Sequence, residues 1–128
     1  TASITSMSSS GTFVLSTTLP DLSVPDGSTL SASASMAYGP ASTGTYTPEI
    51  KLTYQNITDG GSETDMTGST VTGGTANTSD PDFASTSGSV SNSTGGTKSF
   101  RIRLYVRRSS GSGNVTGTVS GTLSGSVA

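Results

Sequence analysis

The sequence has no cysteine, no histidine and no tryptophan. Each absence removes a class of chemistry. Without cysteine there is no disulfide framework and no thiol nucleophile. Without histidine there is no imidazole base, and without either residue the usual zinc ligand sets are gone. Aromatic residues make up 5% of the chain and charged residues 11%. No apolar run approaches the roughly 20 residues that a membrane-spanning helix needs. At 128 residues the length fits one domain. No active-site motif is readable in what remains.

Small hydroxyl side chains are abundant instead: 27 Ser and 23 Thr occupy 50 of 128 positions. Leu, Ile, Val and Phe together number only 22, a content that marks disorder when it accompanies high net charge. The charge here is low, six basic against eight acidic residues for a formal −2. The apolar residues are also in register. The chain is therefore expected to fold around a small core.

The register has period two. Leu30, Ala32, Ala34, Met36 and Tyr38 alternate with small residues, mostly Ser. Tyr46, Pro48, Ile50, Leu52 and Tyr54 alternate with polar side chains, as do Phe100, Ile102, Leu104 and Val106. From Val115 to Val127 the odd positions alternate an aliphatic residue with Gly, and the even positions are all Ser or Thr. Such alternation predicts strands with one face inward. The glycines of the last strand leave gaps that large residues of a facing sheet should fill. Pro48 lacks a ladder donor, which predicts an edge, a bulge or a late strand start. Weaker strand candidates are Thr12 to Leu19, Met66 to Thr72 and Phe83 to Val90, and residues 56 to 96 read as long surface loops. Gly- and Pro-rich turns separate the segments. The expected fold is all-β, an antiparallel β-sandwich of jelly-roll type with about seven to eight strands and no significant helix. Residues 1–11 read as a polar N-terminal arm and 12–128 as a single sandwich domain. The Ser-rich start is held either by a partner chain or as an edge strand of its own domain. Thr1 fits a chain that has lost an initiator Met, or the first residue after a cleaved signal.

Two stretches resemble the galactose-binding-like jelly roll of carbohydrate-binding modules and phage structural proteins. Ser28 to Ala34 followed by Tyr46 to Tyr54 looks like the opening strand pair of that fold. Thr97 to Val106, with its Ser/Gly turn and closing strand, looks like the end. The resemblance implies the fold. It departs from sugar-binding members in having no Trp platform and no acidic residue on the closing strand.

The clearest charged feature is Lys98, Arg101, Arg103, Arg107 and Arg108, five cations within eleven residues and no acid among them. Arg101, Arg103, Tyr105 and Arg107 fall on one strand face at intervals of about 6.8 Å. They are the candidate contact for a subunit or an anionic partner. The competing reading is cross-strand pairing with Glu49 or loop acids. Acidic pairs occur at Glu63/Asp65 and Asp80/Asp82, with Asp59 nearby. Paired carboxylates suit glycoside hydrolysis or a Ca²⁺ loop, but solvated loop acids are the default. No catalytic, cofactor or metal residue is assigned. All four asparagines, Asn56, Asn77, Asn92 and Asn114, sit in Asn-x-Ser/Thr triplets.

These features predict a non-enzymatic structural protein of a repeated assembly, a phage virion component in capsid decoration, tail or fibre. It would work at the virion surface through contacts with other subunits, copies of itself included. The alternative is a carbohydrate-binding or adhesin module, extracellular or on a cell surface, with a surface glycan as partner. Neither nucleic acid nor membrane is expected as a partner.

Overall fold

The structure is a computed structural model describing residues 1–115 and 119–128. Its regular structure is entirely strand: β1 (Ala2–Ser3), β2 (Val14–Thr18), β3 (Leu22–Val24), β4 (Thr29–Tyr38), β5 (Thr45–Asn56), β6 (Thr64–Asp65), β7 (Val71–Thr72), β8 (Ala76–Asn77), β9 (Asp82–Ser91), β10 (Lys98–Gly111) and β11 (Val119–Val127). Among the described residues there is no helix, so none is long and apolar enough to cross a membrane.

The strands form two antiparallel sheets. Sheet I runs β1-β11-β4-β9, and sheet II runs β2-β10-β5-β6, with β3 also on β10 and β7 and β8 also on β5. β2 and β3 follow one another along one side of β10, and β6, β7 and β8 line the far side of β5. Each sheet is therefore four columns wide. The chain behaves as a long double strand rolled across both layers: β1 lies on β11, β2 and β3 on β10, β4 on β9, and β5 on β6 to β8. This nested wiring is a jelly roll. Its columns number eight, within the expected range, but two of them are fragmented. Pro20 separates β2 from β3 and Pro25 follows β3; each removes a ladder donor. Gly60 and Gly68, at φ 64° and 76°, turn the chain on either side of β6.

The core lies between the layers. Sheet II supplies its bulk through Tyr46, Ile50, Leu52, Phe100, Ile102, Leu104 and Val106. Sheet I supplies Leu30, Met36, Tyr38 and Leu123 interspersed with the small Ala32, Ala34 and Ala84. The glycine gaps of β11 close in two ways. A Cβ on Gly125 would come within 2.9 Å and 3.0 Å of the Cδ1 atoms of Leu22 and Leu19, so side chains reach across as expected. A Cβ on Gly121 would instead collide with the Ser35 carbonyl oxygen of the neighbouring strand. Gly117, Thr116 and Thr118, read as part of the same strand, lie outside the described residues.

Pro48 sits inside β5 opposite Arg108, beside a register shift between Arg108 and Ser110. The bulge is the expectation that holds, on a strand paired along both sides. The stretch compared with an opening strand pair is not one, because β4 and β5 lie in opposite sheets and follow three earlier strands. Phe83 to Val90 belongs to a full ten-residue strand, so residues 56 to 96 are not all loop. Met66 to Thr72 contains strand only at β7. At the N-terminus, Ala2 and Ser3 pair with Leu123 and Thr122, and the Ile4 amide donates to the Gly121 carbonyl at 3.0 Å. Ile4 is fully buried. The next residues cross to sheet II, where the Ser8 carbonyl accepts from the Tyr46 hydroxyl at 2.5 Å and the Ser10 carbonyl from the Arg108 amide at 2.8 Å. The edge-strand reading of this segment is the one its geometry matches.

Candidate functional site

β10 alternates by necessity. Phe100, Ile102, Leu104 and Val106 fill the core, so Arg101, Arg103, Tyr105 and Arg107 stand on the outer face. The structure brings all four together beside Gln55, Thr53, Lys51 and Glu49 of β5. The arginines are already engaged. Arg101 makes a two-bond fork with Asp21, Nε to Oδ1 at 2.8 Å and Nη2 to Oδ2 at 3.0 Å. Arg103 Nη1 donates to Glu63 at 3.0 Å and to Gln55 at 2.9 Å. Arg107 Nε donates to Glu49 at 2.7 Å. Lys98 pairs with Asp59 at 3.0 Å and Lys51 with Asp65 at 3.1 Å. Five cations of this sheet thus meet five carboxylates. Arg108 donates to the Gly113 carbonyl at 3.0 Å. It stands against Asp26, Asp80 and Asp82, which account for the net −2.

Phe13, just before β2, is held over this row. Lys51 Nζ lies 4.6 Å and the Arg107 guanidinium carbon 4.8 Å from its ring centre, and Lys51 is 5.7 Å from that of Tyr105. Two cations therefore contact one aromatic ring. Phe13, Lys51, Thr53, Glu63, Asp65 and Tyr105 line a shallow concavity of about 320 Å³.

The carboxyls respond to this setting. The Arg101 hydrogen bond holds the Asp21 carboxyl below its ordinary range. Asp59 is lowered by hydrogen bonds from Lys98 and Asn56. For Glu63, burial pushes upward, but hydrogen bonds from Thr53 and Tyr105 and the charges of Arg103 and Lys51 outweigh it and the net direction is down. Tyr105 is raised by burial and by its bond to Glu63. These groups hold their charged or neutral forms firmly.

The remaining candidates do not converge. Glu63 and Asp65 belong to the ion-paired row. Asn77 caps a turn, its Oδ1 accepting from the Asp80 amide at 2.9 Å and its Nδ2 donating to Asp80 Oδ2 at 3.3 Å, and Asp82 Oδ1 accepts from the Phe83 amide at 2.8 Å. Among the described residues no group of three His, Cys, Asp or Glu is placed to hold a metal ion. Asn92 is 2% exposed, and its Nδ2 donates to the Val24 and Gly96 carbonyls at 2.7 Å and 2.9 Å. That atom is not open to glycan attachment. Asn77 and Asn114 are exposed and Asn56 is half-buried.

One surface was only partly legible in the sequence. The outer face of sheet I aligns Ser126-Ser31-Ser89, Ser124-Ser33-Ser87 and Thr122-Ser35-Ser85 across three strands. The signal was the period-two serine in each segment; the lateral alignment needed the register. Two open troughs of about 490 Å³ and 520 Å³ lie along this grid. Phe83, 69% exposed, stands at one end.

No protein-family model matches the chain, and no curated relative does. Among solved structures, a chain in the structure of the infectious bursal disease virus Gx strain is similar over 98% of this protein, at 14% identity and a TM-score of 0.47. This protein spans 30% of that viral chain.

Proposed function

We propose that the protein is a non-enzymatic structural component of a repeated assembly, a phage virion protein that acts through contacts between subunits at the particle surface. The observation that carries this reading is the division of its outer surface. One sheet presents an uncharged hydroxyl grid, and the other presents a charge row neutralised within the chain. Surfaces of this kind pack against neighbours or hydrate without transforming a molecule, and jelly rolls serve capsids as well as lectins. Capsid decoration, tail and fibre all suit a compact unit used in many copies. The test is sedimentation and electron microscopy of the purified chain, alone and with particles from its source. A fixed multiple of the monomer mass, or saturable decoration of particles, is the expected result. A monomer at every concentration that binds no particle overturns the reading.

A second reading, a carbohydrate-binding or adhesin module, is favoured by one feature. The faces of Phe13 and Tyr105 beside Thr53, Glu63 and Asp65 combine aromatic walls with hydroxyl-binding groups. A glycan array would give a specific hit, lost in Phe13→Ala and Tyr105→Ala. Equal signals for wild type and both variants would remove this reading.

A further inference from the structure

A sheet ends in strands whose outer backbone groups have no partner, and proteins guard such margins with short strands, proline, bulges or charge. This molecule has four margins. β1 is two residues long, β2 and β3 are interrupted at Pro20, and β6, β7 and β8 are two residues each. The fourth margin, β9, is different. It pairs with β4 over all ten residues without a register shift. Between Phe83 and Ser91 it has no charge and no proline.

The direction of its backbone groups follows from two bonds. The Asn92 amide donates to the Ser28 carbonyl at 2.9 Å, so the even-numbered residues of β9 address β4. The Phe83 carbonyl accepts from the Gly74 amide at 2.9 Å, off the sheet, so the odd-numbered residues face outward. Among the described residues nothing bonds to the backbone of Ser85, Ser87 or Ser89. Three amides and three carbonyls stand in a row, on residues that are all exposed.

We propose that the β9 edge is a docking site for the β9 edge of a second copy of this chain, related by a twofold axis at Ser87. This names a contact for the assembly proposed above and rests on that reading. In antiparallel register Ser87 faces Ser87, Ser85 faces Ser89, and the three positions of each copy exchange amide and carbonyl bonds. At these three positions each opposed pair is serine on serine, and the positions between them oppose Thr86 to Gly88 and Ala84 to Val90, so no pair is repulsive. Asp82, the one charge on β9, lies five residues from the axis in each copy. The two carboxylates are therefore about 34 Å apart along the strands, beyond the roughly 8 Å screening length at physiological salt. All six cations of the chain lie on β5 and β10 of the other layer. The join therefore forms between the least charged parts of two equally charged molecules. It merges two serine grids into one continuous sheet.

The test is sedimentation velocity of the full chain over a concentration series, with amide exchange by mass spectrometry or NMR. The wild type should dimerise or form even-numbered particles, with Ser85, Ser87 and Ser89 amides slowed on association. Ser87→Lys places like charges directly opposed at the axis and should weaken association roughly tenfold or more. Ser87→Pro removes an outward amide without touching the β4 ladder and should act in the same direction. Ser124→Lys, on the same face but two strands in from the edge, should associate like wild type. Circular dichroism of each variant confirms that it is folded. If the wild type assembles and both Ser87 variants assemble equally well, the β9 contact is wrong while the assembly reading stands. If the wild type stays monomeric and also binds no particle, both fall. Slowed amides on addition of a different protein, without self-association, would overturn the second copy as occupant.

Discussion

The two sheets of this protein solve the same problem with opposite materials. Sheet II carries large aliphatic and aromatic side chains inward and Arg, Lys and Glu outward. Sheet I intersperses alanine and glycine among its larger inward residues and carries serine outward, with Asp82 its one charge. A layer of small residues lets its strands sit close to the facing side chains, as at Gly125. A chain poor in aliphatic residues can thus close a core by concentrating volume in one layer. Stability and surface chemistry follow that division. Sheet II should be sensitive to loss of volume and sheet I to gain of it.

The largest expected effect is therefore on sheet II. Leu104 is fully buried, and Leu104→Ala should cost about 2–5 kcal/mol, because the rigid surround leaves a cavity. On sheet I the sensitive change is enlargement. Gly125→Ala meets the flexible ends of Leu19 and Leu22 and should cost about 1–3 kcal/mol, partly recovered when Leu22 is shortened to Val. Gly121→Ala meets the Ser35 carbonyl, which cannot swing aside, so no side-chain truncation should rescue it. Chemical denaturation of the three single variants and the Gly125→Ala/Leu22→Val pair checks the set. Rescue at Gly121 by trimming the facing layer would break the distinction.

The pH dependence separates the layers differently. Asp21 and Glu63, both on the charged side, have folded values below their ordinary ones. Their stabilisation is present above the unfolded values of about 3.9 and 4.3 and is lost as pH falls through the folded values. Burial raises Tyr38 and pushes Tyr46 up to about 12. The neutral phenols favour the fold, so this contribution is intact below the unfolded value of about 10 and is lost as pH rises beyond it. Melting temperature should be level from about pH 5 to 9 and fall on both sides. Arg101→Gln should make the acid limb shallower, leaving the Glu63 share, and Tyr46→Phe should do the same to the alkaline limb, leaving the Tyr38 share. An acid limb unchanged by Arg101→Gln would show that this pair does not set it.

How much of this was legible depended on volume. β4, β5 and β10 announce themselves because large residues mark every second position. β9 did not, because its inward residues are Ala84, Thr86, Gly88 and Val90, too small to give a clear period. Phe83 and Val90, the two residues that suggested a strand, point to opposite faces. β6, β7 and β8 have no signal of their own; pairing with β5 creates them. The arginine row was readable as a face, and Glu49 or loop acids as its cross-strand partners; the structure gives Glu49 to Arg107. Asp21, which meets Arg101 across 80 residues, and Glu63, which meets Arg103 across 40, come from loops. Period two cannot place those.

The smallest expected effect bears on why the charged row exists. If the pairs held the fold together, removing one would be costly. Exposed ion pairs typically contribute only about 0–1 kcal/mol, because water and salt screen them and two long side chains must be ordered. The row offers an internal scale. The Arg103–Glu63 side chains are 16% and 29% exposed, whereas Lys51–Asp65 are 21% and 56% exposed. Double-mutant cycles to alanine should give coupling below about 1 kcal/mol for both pairs, larger for Arg103–Glu63, and both shrinking in 1 M salt. A coupling of several kcal/mol at either pair would make sheet II a charge-clamped layer. It would then differ from sheet I in what holds it, and not only in what it shows to solvent. Weak coupling instead leaves each carboxylate free to exchange its partner at little cost. Under the proposed assembly, the neutralised row would then be a surface whose ion pairs a neighbouring subunit could re-form across a contact.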